Sequence, residues 1–449
     1  MSRRLCAFAL GLCVGSSTLA AETLTLSHGL SMQLGHGPQD SALGANQEPF
    51  YGLRYEPVLA WHWPDRRWPR WQGVMRTWFN YTSSQTSLPF QEQQRREIEH
   101  GNAELREFYL RRQLLGDDPR FALTLGRQRY ADPYGLWWDD SLESVRLDYR
   151  ATFSSGFLAV GERFAYYNSD GNTLEPGDQD IRYAMGEFAW RWHRHHWAGV
   201  RGLFEDDHSD RSFDDATDFT GWRAGFFAHG TLPGVARSSD YRLETLALGG
   251  DLQYRAPGAR THTDNRRNGW ALVAELGHSF PRANMAPRLS LRAGLTDSPD
   301  SPYDGFYFSR LQSGRVNAPG SYASGLLGSF VRVDLHNLAF YSLALETRPH
   351  LGQRFDVRVS TLSLRNPDAV AGQRTALPIS VGPNVRPGTD RDLGRVLDLT
   401  YHWQRFPQAL NGRHLNLELQ ANAGYFRAGD ALQGLGDDFQ FSFSAAVHY

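Results

Sequence analysis

The sequence predicts an all-β chain, a transmembrane antiparallel β-barrel of about 18 strands with long extracellular loops. Three observations carry this reading: an amphipathic strand that runs to the last residue, the same alternation repeated upstream, and an export signal at the N-terminus. The final segment places Phe439, Phe441, Phe443, Ala445, Val447 and Tyr449 against Gln440, Ser442, Ser444, Ala446 and His448. Successive side chains of a strand point to opposite faces, so the apolar residues share one face and the small polar residues the other. Upstream, Leu415 to Tyr425, Leu397 to Trp403, Phe355 to Val359 and Val145 to Phe153 repeat the pattern. The polar faces of these strands carry Asp398, His402, Arg354, Asp356, Arg358, Arg146 and Asp148. That is too much charge for a packed soluble interior, and it suits a wet channel.

At the other end, Arg3 and Arg4 precede an apolar stretch from Leu5 to Val14, and small residues follow to Ala20 and Ala21. This is the n-region, h-region and cleavage site of a secretory signal. The stretch is too short to cross about 30 Å of hydrocarbon. Leu12 before Cys13 argues against lipoprotein processing. Residues 1–21 are therefore read as a signal peptide and 22–449 as one outer-membrane barrel with no internal boundary.

Cys6 and Cys13 are the only two cysteines, and both lie in the signal, so the mature chain has neither disulfide nor thiolate metal site. All 47 basic residues are Arg, since the sequence contains no Lys. Losing Arg3 and Arg4 leaves 45 against 49 acidic residues, a formal charge of −4. A nucleic-acid binder would be clearly basic. Every cation here can bind a carboxylate with two parallel hydrogen bonds.

The pattern yields eighteen or nineteen candidate strands of about ten residues, and closure with both termini in the periplasm requires the even number. A barrel of that size leaves an aqueous lumen. With Tyr449 in the periplasm, residues 427–437 form an outer loop, 404–412 an inner turn, and 365–393 a long Gly/Pro-rich outer loop. Further long polar segments are 83–103, 168–180, 205–218 and 297–324.

Several motifs taken in order resemble the alginate export family of outer-membrane porins. Arg106-Glu107-Phe108 is followed by Gly126-Arg127-Gln128-Arg129 and by Gly135-Leu136-Trp137-Trp138-Asp139. Arg163-Phe164 with Asp170 beyond, and His195-His196 before a Gly-Val-Arg strand, come next. Asp392-Leu393-Gly394, Leu397-Asp398-Leu399 and the run Gly424 to Asp430 complete the series. The resemblance implies a channel that passes a linear polyuronate outward through an arginine-lined constriction. By matching position its basic pore residues are Arg54, Arg106, Arg129 and Arg315, and the accompanying acids Glu107, Asp139 and Asp170. It also implies an anionic polysaccharide as cargo, outer-membrane lipids around a monomeric barrel, a periplasmic secretion complex with proteins such as a helical-repeat lipoprotein, and no cofactor. The sequence departs from the family at Gln420, where another arginine is expected, and in the shortness of the turn at 404–412.

Strand parity supports Arg54 as a lumen residue, since it opposes Leu53, Tyr55, Leu59 and Trp61. Arg129 shares parity with Leu123 and Leu125, so it turns inward only if Gly126 marks a bulge or the strand has left the membrane band. Arg106 and Glu107 are adjacent and cannot both face the lumen of a regular strand. His193-Arg194-His195-His196 is a poor metal set, because adjacent histidines on a turn seldom converge on one ion. The runs Glu205-Asp206-Asp207 and Asp214-Asp215 read as solvated loop rather than calcium ligands. Neither G-x-S-x-G nor H-E-x-x-H occurs, so no enzyme is expected. Trp61, Trp63, Trp68 and Trp71 read as an interfacial girdle. Two functions fit: a dedicated exopolysaccharide exporter, or a passive anion-selective uptake porin for small sugar acids or carboxylates.

Overall fold

The computed structural model describes residues 22–37, 43, 49–64, 68–83, 101–132, 134–174, 176–209, 217–232, 238–254, 263–300, 304–309, 311, 326–331, 333, 335–370, 386–405 and 415–449. The segment 1–21 expected to be a signal peptide, Arg315, Asp214-Asp215 and most of the 404–412 turn lie outside them. Strands follow in the order β1 (Thr23–His36), β2 (Phe50–Trp63), β3 (Trp71–Thr82), β4 (Gly101–Leu115), β5 (Asp118–Ala131), β6 (Asp139–Arg150) and β7 (Ser154–Glu162). Next come β8 (Ile181–His193), β9 (His196–Asp207), β10 (Thr217–Thr231), β11 (Ser239–Tyr254), β12 (Thr263–Ser279), β13 (Arg288–Thr296), β14 (Leu338–Thr347) and β15 (Gln353–Leu364). The chain ends with β16 (Arg386–Pro387), β17 (Asp392–Arg405), β18 (Asn416–Ala428), β19 (Leu432–Gln433) and β20 (Asp438–His448). Eighteen of these form one antiparallel sheet, and the short β16 and β19 pair separately between two outer loops. The pairing of β1 with β20 closes the sheet into a barrel, and reciprocal backbone bonds between His28 and Tyr449 (2.8 and 2.9 Å) seal the seam. The expected even number and common rim for both ends of the wall are what the chain adopts.

The alternation sorts the wall into two faces. On the outside, Leu276, Leu291, Leu343, Val359, Leu397, Tyr425 and Phe439 are register partners in seven consecutive strands, and all are exposed. A continuous apolar belt of this kind is what a lipid-facing wall requires. Among the described residues no helix is long and apolar enough to cross a membrane. Residues of the other parity are buried or half-buried, and many are charged, including Arg201, Arg223, Glu244, Glu275 and Arg292.

Three departures from a plain barrel position the site. In β4 the register shifts opposite Arg76/Thr77, so that Arg76 pairs with Glu107 and Thr77 with Leu105. Arg106 is the inserted residue. A bulge sets two residues against one and breaks parity, which allows Arg106 and Glu107 both to face inward. Second, β4 and β5 part above the Phe108–Arg127 pair. Gly126 stands at that point with φ +123°, and a Cβ there would meet the Phe108 carbonyl at 2.3 Å. The gap is covered by a strap from the β7–β8 loop: Leu105 N–H donates to Tyr167 O (3.0 Å), Ser169 N–H donates to Ala103 O (2.9 Å), and Glu104 bridges Asn168. Third, two outer loops fold into the lumen. Trp137 and Trp138 of the β5–β6 loop join Leu311, Leu326, Leu327, Phe330 and Leu335 of the β13–β14 loop in one buried apolar cluster with inward residues of the wall. The wide lumen expected from strand number is therefore partly filled by its own loops.

One segment read as loop is strand, and the end of one segment read as strand is turn. Glu205, Asp206 and Asp207 belong to β9, where Glu205 faces inward and receives Arg223 Nη1 at 2.6 Å. A buried carboxylate opposite an arginine on the next strand extends the ladder, whereas a loop would have left it solvated. Ala151 and Phe153 fall in the turn after β6, where Ala151 N–H donates to Ser154 O at 2.7 Å.

Candidate functional site

Six of the seven positions singled out from sequence are among the described residues, and all six lie in one sector, on β2, β4, β5, β6 and the strap. Trp78 of β3 is its centre. It is inward by parity, since Met75, Phe79 and Tyr81 are exposed on the outer face, and it is only 4% exposed. Its indole N–H donates to Glu56 at 2.8 Å. The Arg54 guanidinium stacks on the ring at 3.7 Å and that of Arg106 at 4.4 Å. Cation–π contacts of this kind strengthen when desolvated.

Arg54 donates to Asn80 Oδ1 (2.8 Å), and Asn80 in turn donates to Asn102 Oδ1 (3.0 Å). No carboxylate lies within ion-pair distance of Arg54 among the described residues, and its Nη2 is buried without a hydrogen-bond partner. Arg106 is paired with Glu104 (2.6 Å) and lies 3.9 Å from Asp140, yet its Nε also has no partner. Glu107 binds Arg76 at 2.9 Å, and Arg76 reaches Glu56 at 3.4 Å. Arg129 meets Asp139 at 2.9 Å near the top of the β5–β6 hairpin, where β5 has left β4. Arg129 keeps the parity of Leu123 and Leu125 and is exposed like them, and the β5–β6 register through it is unbroken. Asp170 sits half-buried in the strap, its N–H donating to Asn168 Oδ1 (3.0 Å), and Asn168 donates to Glu104 at 3.4 Å.

Half-way round the ring, nine strands on from β3, lies a second arginine–aromatic cluster that sequence reading missed. The Asp132 carboxylate accepts hydrogen bonds from the amides of Tyr134, Leu136, Trp137 and Trp138 and so shapes the β5–β6 loop. The loop projects Tyr134 to the inner face of β11–β13. There its hydroxyl donates to Glu275 at 2.8 Å, and its ring receives Arg242 at 4.0 Å and Arg292 at 4.7 Å. Trp137 lies against Gly225 of β10, where a Cβ would come within 2.5 Å of the indole. Carboxylates neutralise this cluster: Arg292 and Arg288 share Glu275 (2.7 and 2.9 Å), Arg288 also takes Asp240 (2.6 Å), and Arg242 takes Glu244 (3.0 Å). Arg201 joins Glu244 (2.9 Å) to Glu187 (2.6 Å).

Below the loop root, the β13–β14 loop is anchored on β17 by Asp398, which accepts from Ser329 N–H (2.7 Å) and Phe330 N–H (3.1 Å). Asp297, at the start of that loop, accepts from Phe306 N–H (3.3 Å). Burial, with Asp304 nearby, pushes its carboxyl up to about 6. Of the histidine cluster, His196 bonds the Tyr241 hydroxyl at 2.9 Å and lies edge-on to His193 at 5.3 Å, a packing arrangement.

The family model described as Alginate export matches residues 26–440. The alginate production protein AlgE of Pseudomonas syringae pv. tomato is 33% identical over 112 residues, which is 25% of this chain and 23% of that protein. The aligned part thus spans about a quarter of that relative. Among solved structures, Pseudomonas aeruginosa OpdK, crystallised with vanillate, superposes with a TM-score of 0.56 at 9% identity, covering 95% of this chain and 99% of that one. OccAB1 of Acinetobacter baumannii gives 0.54 at 11% identity, with 94% and 96% covered. P. aeruginosa OccK11 (OpdR) gives 0.52 at 10% identity, with 95% of both chains covered. At such identities the likeness is one of fold.

Proposed function

The chain belongs to the alginate export family, and from that premise we propose that this outer-membrane channel passes an anionic exopolysaccharide, alginate, outward along an arginine-bearing inner wall. The observation that carries the proposal is Arg54 at Trp78: a guanidinium held by a ring and an amide, with a buried Nη2 still lacking an acceptor. A polyuronate carboxylate supplies the counter-charge that Arg54 lacks among the described residues. Arg106, with a partnerless Nε beside the same ring, offers a neighbouring position. The acids Glu104, Glu107 and Asp139 keep the patch from becoming a trap. A pore must attract its cargo and still release it, which many weak contacts accomplish better than one strong one. In this reading the barrel acts as a monomer, and a periplasmic protein such as a helical-repeat lipoprotein delivers the polymer to the lower rim.

The test is a gene deletion complemented by variants. Deletion should abolish secreted polymer, the native gene should restore it, and Arg54→Glu with Arg106→Glu should not, while the heat-modifiable barrel remains in the outer membrane. Normal polymer secretion in the deletion strain, with lost growth on a sugar acid, would overturn the exporter in favour of a passive anion-selective uptake porin.

A further inference from the structure

The outer wall carries a feature that the transport route does not use. On five adjacent strands, Leu125, Val145, Val160, Ala184 and Phe204 are register partners in a row across β5–β9. The short side chains in the middle of this row, between the ridges of Leu125, Phe164 and Phe204, leave a groove of about 610 Å³ on the lipid-facing side. Phe164 is 65% exposed and Val160 57%. Two residues further up, the row of register partners is Arg127, Glu143, Glu162, Arg182 and Asp206. The outer face therefore changes from apolar to charged within about 7 Å along the strands. That change marks the level of the outer-leaflet head groups in this sector.

Most of the charges in the upper row are already settled. Arg127 is paired with Glu143, and Asp206 with His208 at 3.0 Å. Arg182 is different: it is 69% exposed, and its ion-pair contact with Glu162 is 3.9 Å long. An apolar groove at hydrocarbon depth is poorly served by water, and left empty it forfeits the dispersion contacts of its lining. The mobile apolar matter available at that depth is acyl chain.

We propose that this groove is a lipid site, which takes an acyl chain of a phosphate-bearing lipid along the Val145–Ala184 row with the phosphate on Arg182. The ligand is a lipid and not a protein, because the groove is continuous with the membrane-facing belt and is rimmed by charge only on its outer side. Phe164 is the second residue after β7 and leads into the strap that closes β4. A chain in the groove covers Phe164 and holds that strap down.

The test uses the full barrel, exchanged through detergent until free of lipid and titrated with dioleoyl phosphatidic acid or dioleoylglycerol under native mass spectrometry. The wild type should show one saturable phosphatidic acid adduct, bound at least tenfold more tightly than the dioleoylglycerol. Ala184→Trp, which fills the groove from outside, should weaken binding of both lipids tenfold or more. Arg182→Gln should reduce phosphatidic acid to the level of dioleoylglycerol. If Ala184→Trp gives no heat-modifiable barrel, Val160→Phe takes its place. Adducts that grow without saturation, or equal binding by wild type and the groove-filling variant, would overturn the site. Polymer export does not enter this readout, so its outcome is independent of the transport proposal.

Discussion

Two parts of the inner wall stack a pair of arginines on one aromatic ring, and they settle the charge differently. Around Tyr134, each arginine meets a carboxylate, and Glu275 alone serves Arg288, Arg292 and the tyrosine hydroxyl. Around Trp78, Arg54 has an indole and an asparagine but no ion pair among the described residues. The first arrangement satisfies the arginines on its ring and holds a loop across the lumen, while neighbouring Arg358 keeps a buried Nη1 without a partner. The second leaves Arg54 Nη2 and Arg106 Nε buried without hydrogen-bond partners. Arginine on a pore wall is thus no measure of anion affinity; the acids within reach of it are.

The largest effect that can break this comparison is expected at the satisfied cluster. Glu275→Ala leaves Arg292 buried without its carboxylate, and such losses cost about 3–5 kcal/mol. Thermal unfolding of the purified barrel, followed by the gel shift on heating, should move to clearly lower temperature. An unchanged transition would show that the cluster does not hold the loop. By contrast, Arg54→Gln removes a charge that has no ion pair among the described residues without burying a new one beside Glu56 and Glu104, so it should lower the transition less and weaken the preference for anions. Wild type should prefer anions in planar bilayers under a salt gradient, despite the sequence's formal net charge of −2, because distant loop acids are screened over about 8 Å at physiological salt. Arg54→Glu with Arg106→Glu should reverse the sign of the reversal potential. Cation preference in the wild type would contradict the role given to Trp78 and its arginines.

A smaller change sharpens the contrast. Tyr134→Phe keeps the ring for Arg242 and Arg292 and removes one hydrogen bond to a charged acceptor, a loss of about 1.5–3 kcal/mol. Conductance should become noisier as the loop tip loosens, with selectivity retained; a change of selectivity would mean that Tyr134 belongs to the anion path.

The smallest effect concerns pH. Asp297 has its folded carboxyl raised to about 6 from an ordinary 3.8, so the folded loop retains the proton better than an open one. Its contribution to stability is complete below about pH 4, falls as pH rises and is gone above about 6. For a half-exposed group this amounts to on the order of 1 kcal/mol. Amide exchange at Phe306, corrected for its intrinsic pH dependence, should be more protected at pH 4 than at pH 7, and Asp297→Asn should remove the difference. Equal protection in the native protein would refute the assignment.

Much of the fold was legible because a lipid-facing wall imposes strict alternation, and Phe439 to Tyr449 displays it without interruption. Inward arginines were legible wherever the strand is regular, as at Arg54. Legibility failed where parity does. The bulge at Arg106 has no local mark in the sequence, and only the β3 register reveals that Arg106 and Glu107 both turn inward. Trp78 could have been found: Met75, Phe79 and Tyr81 place it on the polar face, where a tryptophan is out of keeping with a girdle. The Tyr134 cluster had no such signal, because its hydroxyl and Glu275 lie 141 residues apart and meet through a folded-in loop.

The seam between His28 and Tyr449 bears on how the molecule is made. Nearly every other pairing in the wall joins strands adjacent in the chain, and such hairpins form early because little chain has to be ordered. The last bonds join residues 28 and 449. Closing a loop of that length costs about 5 kcal/mol by the logarithmic law for a flexible chain. Contacts so distant in sequence come late on a folding route. The barrel thus passes through an open, curled sheet with two raw edges, and the rate at which those edges meet, rather than the strength of any hairpin, sets how long it remains vulnerable to pairing with a stranger.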